Sequence, residues 1–274
     1  MHQISHLEVY RFLQKSNCRK CDLPSCLAFA AAVMRGEKRL DQCPHIDRSV
    51  LEQLEASLHS SSTVQDERDK ILNHLRARIQ VIDLAEAAER LGVFFPGDAL
   101  TVRCLGKDFH IDQRGNVRSD RHLTPWLIIP LLNYVIHGAG KKIAGRWVLF
   151  KELDGGADWG RLFAQKCEKP LKRLIDNDID LFKDILGIFD GRLTEDSLPC
   201  DLSIVIHPLP KVPVLIRYWK KEGDFDSVLT LMFDSTAKDN LGIESLYTIC
   251  VGLVIMFERL VLTHGNHSSL GERV

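Results

Sequence analysis

The chain has 274 residues, 45% hydrophobic and 27% charged, with a formal net charge of −1. That length can bury a full core, enough for one large domain and a small one. The near-neutral balance gives no reason to expect nucleic acid or an anionic membrane surface as a partner.

The chain opens on Met-His-Gln-Ile-Ser-His, without the basic start and apolar stretch of a secretory signal, so a reducing cytoplasm is the expected compartment. Leu7, Val9, Tyr10 and Leu13 give His6–Gln14 the spacing of a short amphipathic helix. Cys18 to Cys21 reads as a turn. Pro24 suits a first helical position, the run Leu27–Met34 is strong helix-forming sequence, and Gly36 is the expected stop. The chain then returns through Leu40 and Asp41 to Cys43-Pro44. A helix over Ser49–Leu58 follows, and Ser60-Ser61-Ser62-Thr63 reads as a linker. Residues 1–60 are therefore expected to form one module, 65–262 a larger domain and 263–274 a polar tail.

A long helical pattern runs over Gln65–Leu91, broken near Asp83. Strands are expected at Leu100–Leu105 and Phe109–Asp112, with turns at Gly106-Lys107 and Arg114-Gly115-Asn116. Thr124-Pro125 starts an apolar helix ending near His137. Arg146–Phe150 reads as a strand, and Trp159–Asn177 as helical despite Pro170. Leu202–His207, Val212–Tyr218 and Val228–Phe233 read as an antiparallel meander, closed by a helix over Ile243–Leu262. The sum is an α+β fold behind a small helical module. The apolar stretches Leu127–Ile136 and Leu246–Phe257 fall short of the about 20 residues a bilayer demands, so no membrane insertion is expected.

Cys18, Cys21, Cys26 and Cys43 fall in the order C-x2-C-x4-C-x16-C-P. Four thiolates without histidine, in a segment holding a tight turn and a helix, suit a cubane iron–sulfur cluster. Cys26 lies near a helix start, where free N–H groups and the positive dipole end favour thiolate. Pro44 cannot donate a hydrogen bond and biases Cys43 toward extended backbone. A structural zinc site also accepts four thiolates, but such sites usually pair two short knuckles and only one C-x2-C is present. A thioredoxin-like pair would want a preceding strand, and would leave two cysteines unexplained. All three remain open on spacing alone.

The stretch Asn17–Ala30, followed by Leu40-Asp41-Gln42-Cys43-Pro44, resembles the small iron–sulfur domain of corrinoid iron–sulfur proteins, with a similar domain in the cluster-bearing subunit of the Rnf complex. The resemblance implies one [4Fe-4S] cluster on Cys18, Cys21, Cys26 and Cys43, used for low-potential electron transfer. Asp22 departs from the pattern, standing where those families usually carry Gly; its charge should lower the potential. No corrinoid-binding domain accompanies the motif, so cobalamin is not carried over. Gly145–Gly156 and Pro208–Val214 resemble the domain of unknown function 3786 family, whose members often join such a domain to the same cluster motif. That resemblance brings a family and no activity.

Seven basic residues, Arg11, Lys15, Arg19, Lys20, Arg35, Lys38 and Arg39, face three acidic ones, Asp22, Glu37 and Asp41, between Arg11 and Cys43. The excess reads either as a docking patch for an acidic, ferredoxin-like redox partner or as an ordinary solvated face. Asp176, Asp178 and Asp180 mimic a calcium loop, but Leu181 and Gly187 stand where it needs Gly and Glu, so a solvated helix end is expected. Cys104, Cys167, Cys200 and Cys250 read mostly as core thiols. His110 and His207 lack a partner in sequence, and Glu152–Gly156 reads as a turn. No catalytic residue is assigned. Three readings stand: an electron carrier or redox accessory protein of anaerobic metabolism, an enzyme using the cluster as internal electron source, and a redox-dependent sensor.

Overall fold

In a computed structural model, which describes residues 6–34, 37–194 and 200–268, the chain divides into two compact units, 1–71 and 72–274. The fold is α+β, with 49% helix and 19% strand. The expected stop at Gly36 lies outside the described residues, as do 269–274 of the expected tail; residues 263–268 are helical.

The first unit holds α1 (His6–Phe12), α2 (Cys26–Met34), a 3-10 turn (Leu40–Gln42) and the start of α3 (Arg48–Gln80). Its core is small: Val9, Leu13, Phe29, Ala30, Val33 and Leu40, joined by Cys21 and Cys26. Pro24 precedes α2 by two residues instead of opening it. Ser25 caps the helix, its Oγ accepting from Ala28 N at 3.1 Å, and so supplies the acceptor that a first turn needs. Ser60–Thr63, expected as a linker, is helical within α3. Ser and Thr each cost a helix only some tenths of a kcal/mol, which a 33-residue ladder absorbs.

The second unit begins within α3, whose Leu72, Leu75 and Ile79 enter its core. The break near Asp83 is a cap: its Oδ1 accepts from Ala85 N (2.8 Å) and Glu86 N (3.2 Å), starting α4 (Leu84–Leu91). An antiparallel sheet follows, β1 (Ala99–Cys104), β2 (Lys107–Asp112) and β3 (Val117–Arg118). Leu105, expected to end the first strand, belongs instead to the hairpin. It takes φ 50° beside Gly106 at 73°, the paired left-handed turn whose twist matches the strands.

The second sheet runs β4-β8-β7-β6-β5, all antiparallel: β4 (Trp147–Leu149), β5 (Arg192–Leu193), β6 (Leu202–Leu209), β7 (Val212–Trp219) and β8 (Val228–Asp234). Cross-strand rows Ile204–Ile216–Leu231 and Ile206–Val214–Phe233 put one face into the core. The ladder slips between Ile206 and Leu209, where Pro208 has no N–H to give. The helices are α5 (Pro125–His137), α6 (Gly160–Phe163), a π turn (Ala164–Glu168), α7 (Lys169–Asn177), α8 (Ile179–Ile188), α9 (Ala237–Leu241) and α10 (Ile243–Ser268). The π turn re-registers the ladder ahead of Pro170, whose ring would clash with the carbonyl four residues back. By length and composition Ile243–Thr263 could cross a membrane, contrary to the shorter stretch read from the sequence. Here it packs on α5, α7, α8 and α9, burying Leu246, Ile249, Leu253 and Phe257.

Candidate functional site

All four N-terminal cysteines line one cavity, together with Asn17, Phe29 and Pro44. None is in a disulfide. Cys18 is exposed in the loop after α1, Cys21 and Cys26 are buried, and Cys43 is half-buried. The donor chemistry fits an iron–sulfur cluster: four free thiols line the cavity, with His45 beside them as a further lining residue. Among the described residues no three His, Cys, Asp or Glu converge tightly enough for a single metal ion.

The loop is shaped by its backbone. Lys15, Asn17, Arg19 and Asp22 all adopt left-handed φ, between 48° and 62°. Left-handed residues alternating along a loop turn successive N–H groups toward a common concavity, the geometry of many anion and cluster cradles. Asp22, where related domains carry Gly, keeps that conformation; Asp tolerates it better than most residues. Asn17 Oδ1 accepts from Cys26 N at 2.8 Å, tying the loop to the first residue of α2. The Cys18 thiol is held below its ordinary range, first by the Lys20 backbone N–H and then, against the opposing effect of burial, by the Ser16 hydroxyl and the Lys20 charge. Cys43 is extended (φ −89°, ψ 112°), as a residue before proline should be.

Of the basic residues here, Arg11, Lys15, Arg19 and Lys20 are exposed around the loop, Lys15 lying over the Tyr10 ring. Lys38 pairs with Asp22 at 3.8 Å and Arg39 with Asp41. Arg35 lies outside the described residues.

The other candidates belong to the second unit. Burial pushes the Cys104, Cys167 and Cys250 thiols up, as core positions do, while Cys200 is half-buried. His110 Nδ1 meets Thr101 Oγ1 at 2.9 Å. His207 sits half-buried at the β6 bulge, its imidazole pushed toward neutrality by burial and Arg192. The Glu152–Gly156 loop is a closed turn, Gly156 N donating to Leu153 O. Asp178 caps α8, accepting from Asp180 N and Leu181 N. Asp176, exposed near the end of α7 as expected, also accepts from Tyr218 Oη (2.7 Å), Ser227 Oγ (2.5 Å) and Lys172 Nζ (2.8 Å). Sequence reasoning misses that carboxylate because Tyr218 and Ser227 lie 42 and 51 residues away. It lines an open groove of about 640 Å3.

Comparison with known proteins places the FeS family model, an Fe-S cluster segment, on residues 13–45, which contain all four cysteines. A model described as Domain of unknown function (DUF3786) matches residues 83–256. Over 42 residues the chain is 48% identical to an acetyl-CoA decarbonylase/synthase complex subunit gamma of Methanocaldococcus jannaschii, covering 15% of this chain and 9% of that protein. Over 54 residues it is 41% identical to a corrinoid/iron-sulfur protein large subunit of Moorella thermoacetica, covering 20% and 12%. The gamma subunit of Methanothermobacter thermautotrophicus is 37% identical over 73 residues, 26% of this chain and 16% of that protein. The chain thus spans less than a fifth of the length of these relatives. No solved structure matches it.

Proposed function

The chain belongs to the DUF3786 family and carries an Fe-S cluster segment ahead of that domain, and from this premise we propose that it is a [4Fe-4S] protein serving low-potential electron transfer in anaerobic one-carbon metabolism. The single observation carrying this reading is that Cys18, Cys21, Cys26 and Cys43 all line one cavity, beside a loop with four left-handed residues. The cluster, when bound, supplies one-electron chemistry. The chain's part is to hold thiolates. Lys20 N–H and the Lys20 charge favour the ionised Cys18 sulfur, and Cys26 is held in place at the first residue of α2 by its N–H donating to Asn17 Oδ1.

Exposure of Cys18 would bring one corner of the cluster near a partner, and Arg11, Lys15, Arg19 and Lys20 give that edge a positive field. A redox partner with an acidic face fits it, in a reducing cytoplasmic compartment. The relatives, subunits of an acetyl-CoA decarbonylase/synthase complex and of a corrinoid/iron-sulfur protein, support the setting. The carrier or accessory role is favoured over an enzyme because the three carboxylates lining the 640 Å3 groove are already engaged, Asp176 by three donors, Asp178 as the cap of α8 and Asp226 with Lys221.

The test is anaerobic purification, iron and acid-labile sulfide assay, and electron paramagnetic resonance of the reduced chain. About four irons and four sulfides per chain are expected. Stoichiometric zinc without sulfide would overturn the proposal.

A further inference from the structure

Asn17 joins three features at one position. Its φ of 48° is left-handed, a conformation Asn accepts more readily than most residues. Its Oδ1 reaches across nine residues to accept the Cys26 amide at 2.8 Å. And it lines the same cavity as all four cysteines. The carboxamide has one acceptor end and one donor end. Because Cys26 N–H must face an oxygen, the acceptor end is committed and the Nδ2 end carries the free hydrogen-bonding capacity.

We propose that Asn17 is a positioning and tuning residue of the cluster site: Oδ1 fixes the Cys26 amide, and Nδ2–H donates to a cluster or thiolate sulfur. This rests on the reading that the four cysteines hold a cluster. The oxygen sets the separation between the Cys18–Cys21 loop and the start of α2, so the ligands are spaced before iron arrives. The nitrogen lowers the electron density on sulfur, and a hydrogen bond to sulfur raises the potential of a cluster. Other side chains do less. Gly would satisfy the backbone and neither bond. Asp would keep the Cys26 bond but bring a charge against anionic sulfur.

Those two substitutions separate the roles in the full-length chain, prepared without oxygen. Asn17→Gly removes the carboxamide without conflict over φ. It is expected to release iron to a chelator roughly tenfold faster than wild type, the scale on which outer-shell partners act. Asn17→Asp keeps an acceptor for Cys26, so iron retention should stay near wild type while the midpoint potential falls. If Asn17→Gly fails to retain a cluster at all, the potential of Asn17→Asp decides. Loaded wild type with both variants at its potential and retention would overturn the inference alone. Wild-type chain without iron and sulfide would overturn the cluster reading, and this inference with it.

Discussion

Gly252 of α10 lies directly against the indole of Trp126 on α5, so close that a Cβ would overlap the ring. Two effects oppose each other at this site. Replacing a mid-helix Gly by Ala gains roughly 0.5–1 kcal/mol of helix stability. Forcing a methyl into a packed contact costs about 1–3 kcal/mol. The obstacle is a rigid ring, not the end of a flexible chain, so overlap wins. Gly252→Ala should lower the denaturant midpoint of the chain, and Gly252→Ala with Trp126→Leu should recover part of the loss. A wild-type midpoint for Gly252→Ala would refute the argument.

Asp234, at the end of β8, is fully buried and charged. It accepts from Ala144 N (3.1 Å), Gly145 N (2.7 Å), Thr236 N (3.0 Å) and Thr236 Oγ1 (2.7 Å). Burial pushes its carboxyl up, yet these donors outweigh burial and hold it below the ordinary range. Asp234→Ala strands the donors and should cost roughly 3 kcal/mol. Proteolysis should then cut first in 138–146, the loop those amides belong to. Equal susceptibility in both chains would show that the carboxylate does not hold it.

Much of this was readable in the sequence because its signals are local. Cysteine spacing marks a thiol-rich loop, Asp83 caps within three residues, and Thr124-Pro125 announces α5. The meander shows as apolar runs because β6 and β7 are buried almost throughout. What escapes detection is non-local. α8 hides behind the acidic run at 176–180, since Phe182, Ile185 and Leu186 make only a short apolar stripe. The engagement of the Asp176 and Asp234 carboxylates does not show in the sequence because Tyr218, Ser227, Ala144 and Gly145 lie tens of residues away. At Ser60–Thr63 composition misleads in the other direction, because a long helix tolerates a few weak formers.

The two classes of cysteine should separate cleanly by substitution. Cys26→Ala removes a proposed ligand, and should lower bound iron and abolish the reduced-state paramagnetic signal. Cys250, 2% exposed with its thiol pushed up by burial, belongs to the core instead. Cys250→Ala should leave iron unchanged and lower the unfolding free energy by about 1 kcal/mol, the scale of a small deletion in a packed core. Iron lost equally from both variants would mean that unfolding, and not ligation, controls retention.

Asp176 joins α7 to the strands by accepting from Tyr218 Oη and Ser227 Oγ, and its charge sets two pH limits. Burial pushes its carboxyl up, but hydrogen bonds from Lys172, Ser227 and Tyr218 prevail and depress it. A depressed carboxyl stabilises the fold fully above its unfolded value near pH 4, and the contribution disappears as pH falls through the folded value. Tyr218 has the opposite sign. Burial first, then the hydrogen bond and charge of Asp176, raise its phenol to about 12. A raised phenol stabilises the fold below its ordinary value of about 10, and that contribution is lost as pH climbs toward 12. Asp176→Asn should therefore flatten the loss of stability below pH 4 and shrink the alkaline loss above pH 10, because the Tyr218 phenol is then raised less. Tyr218→Phe should remove the alkaline limb and cost about 1.5–3 kcal/mol at neutral pH, the range for a hydrogen bond to a charged group. Urea midpoints between pH 3 and pH 11 check both, and acid limbs of equal steepness in wild type and Asp176→Asn would show that this carboxylate does not couple protonation to folding.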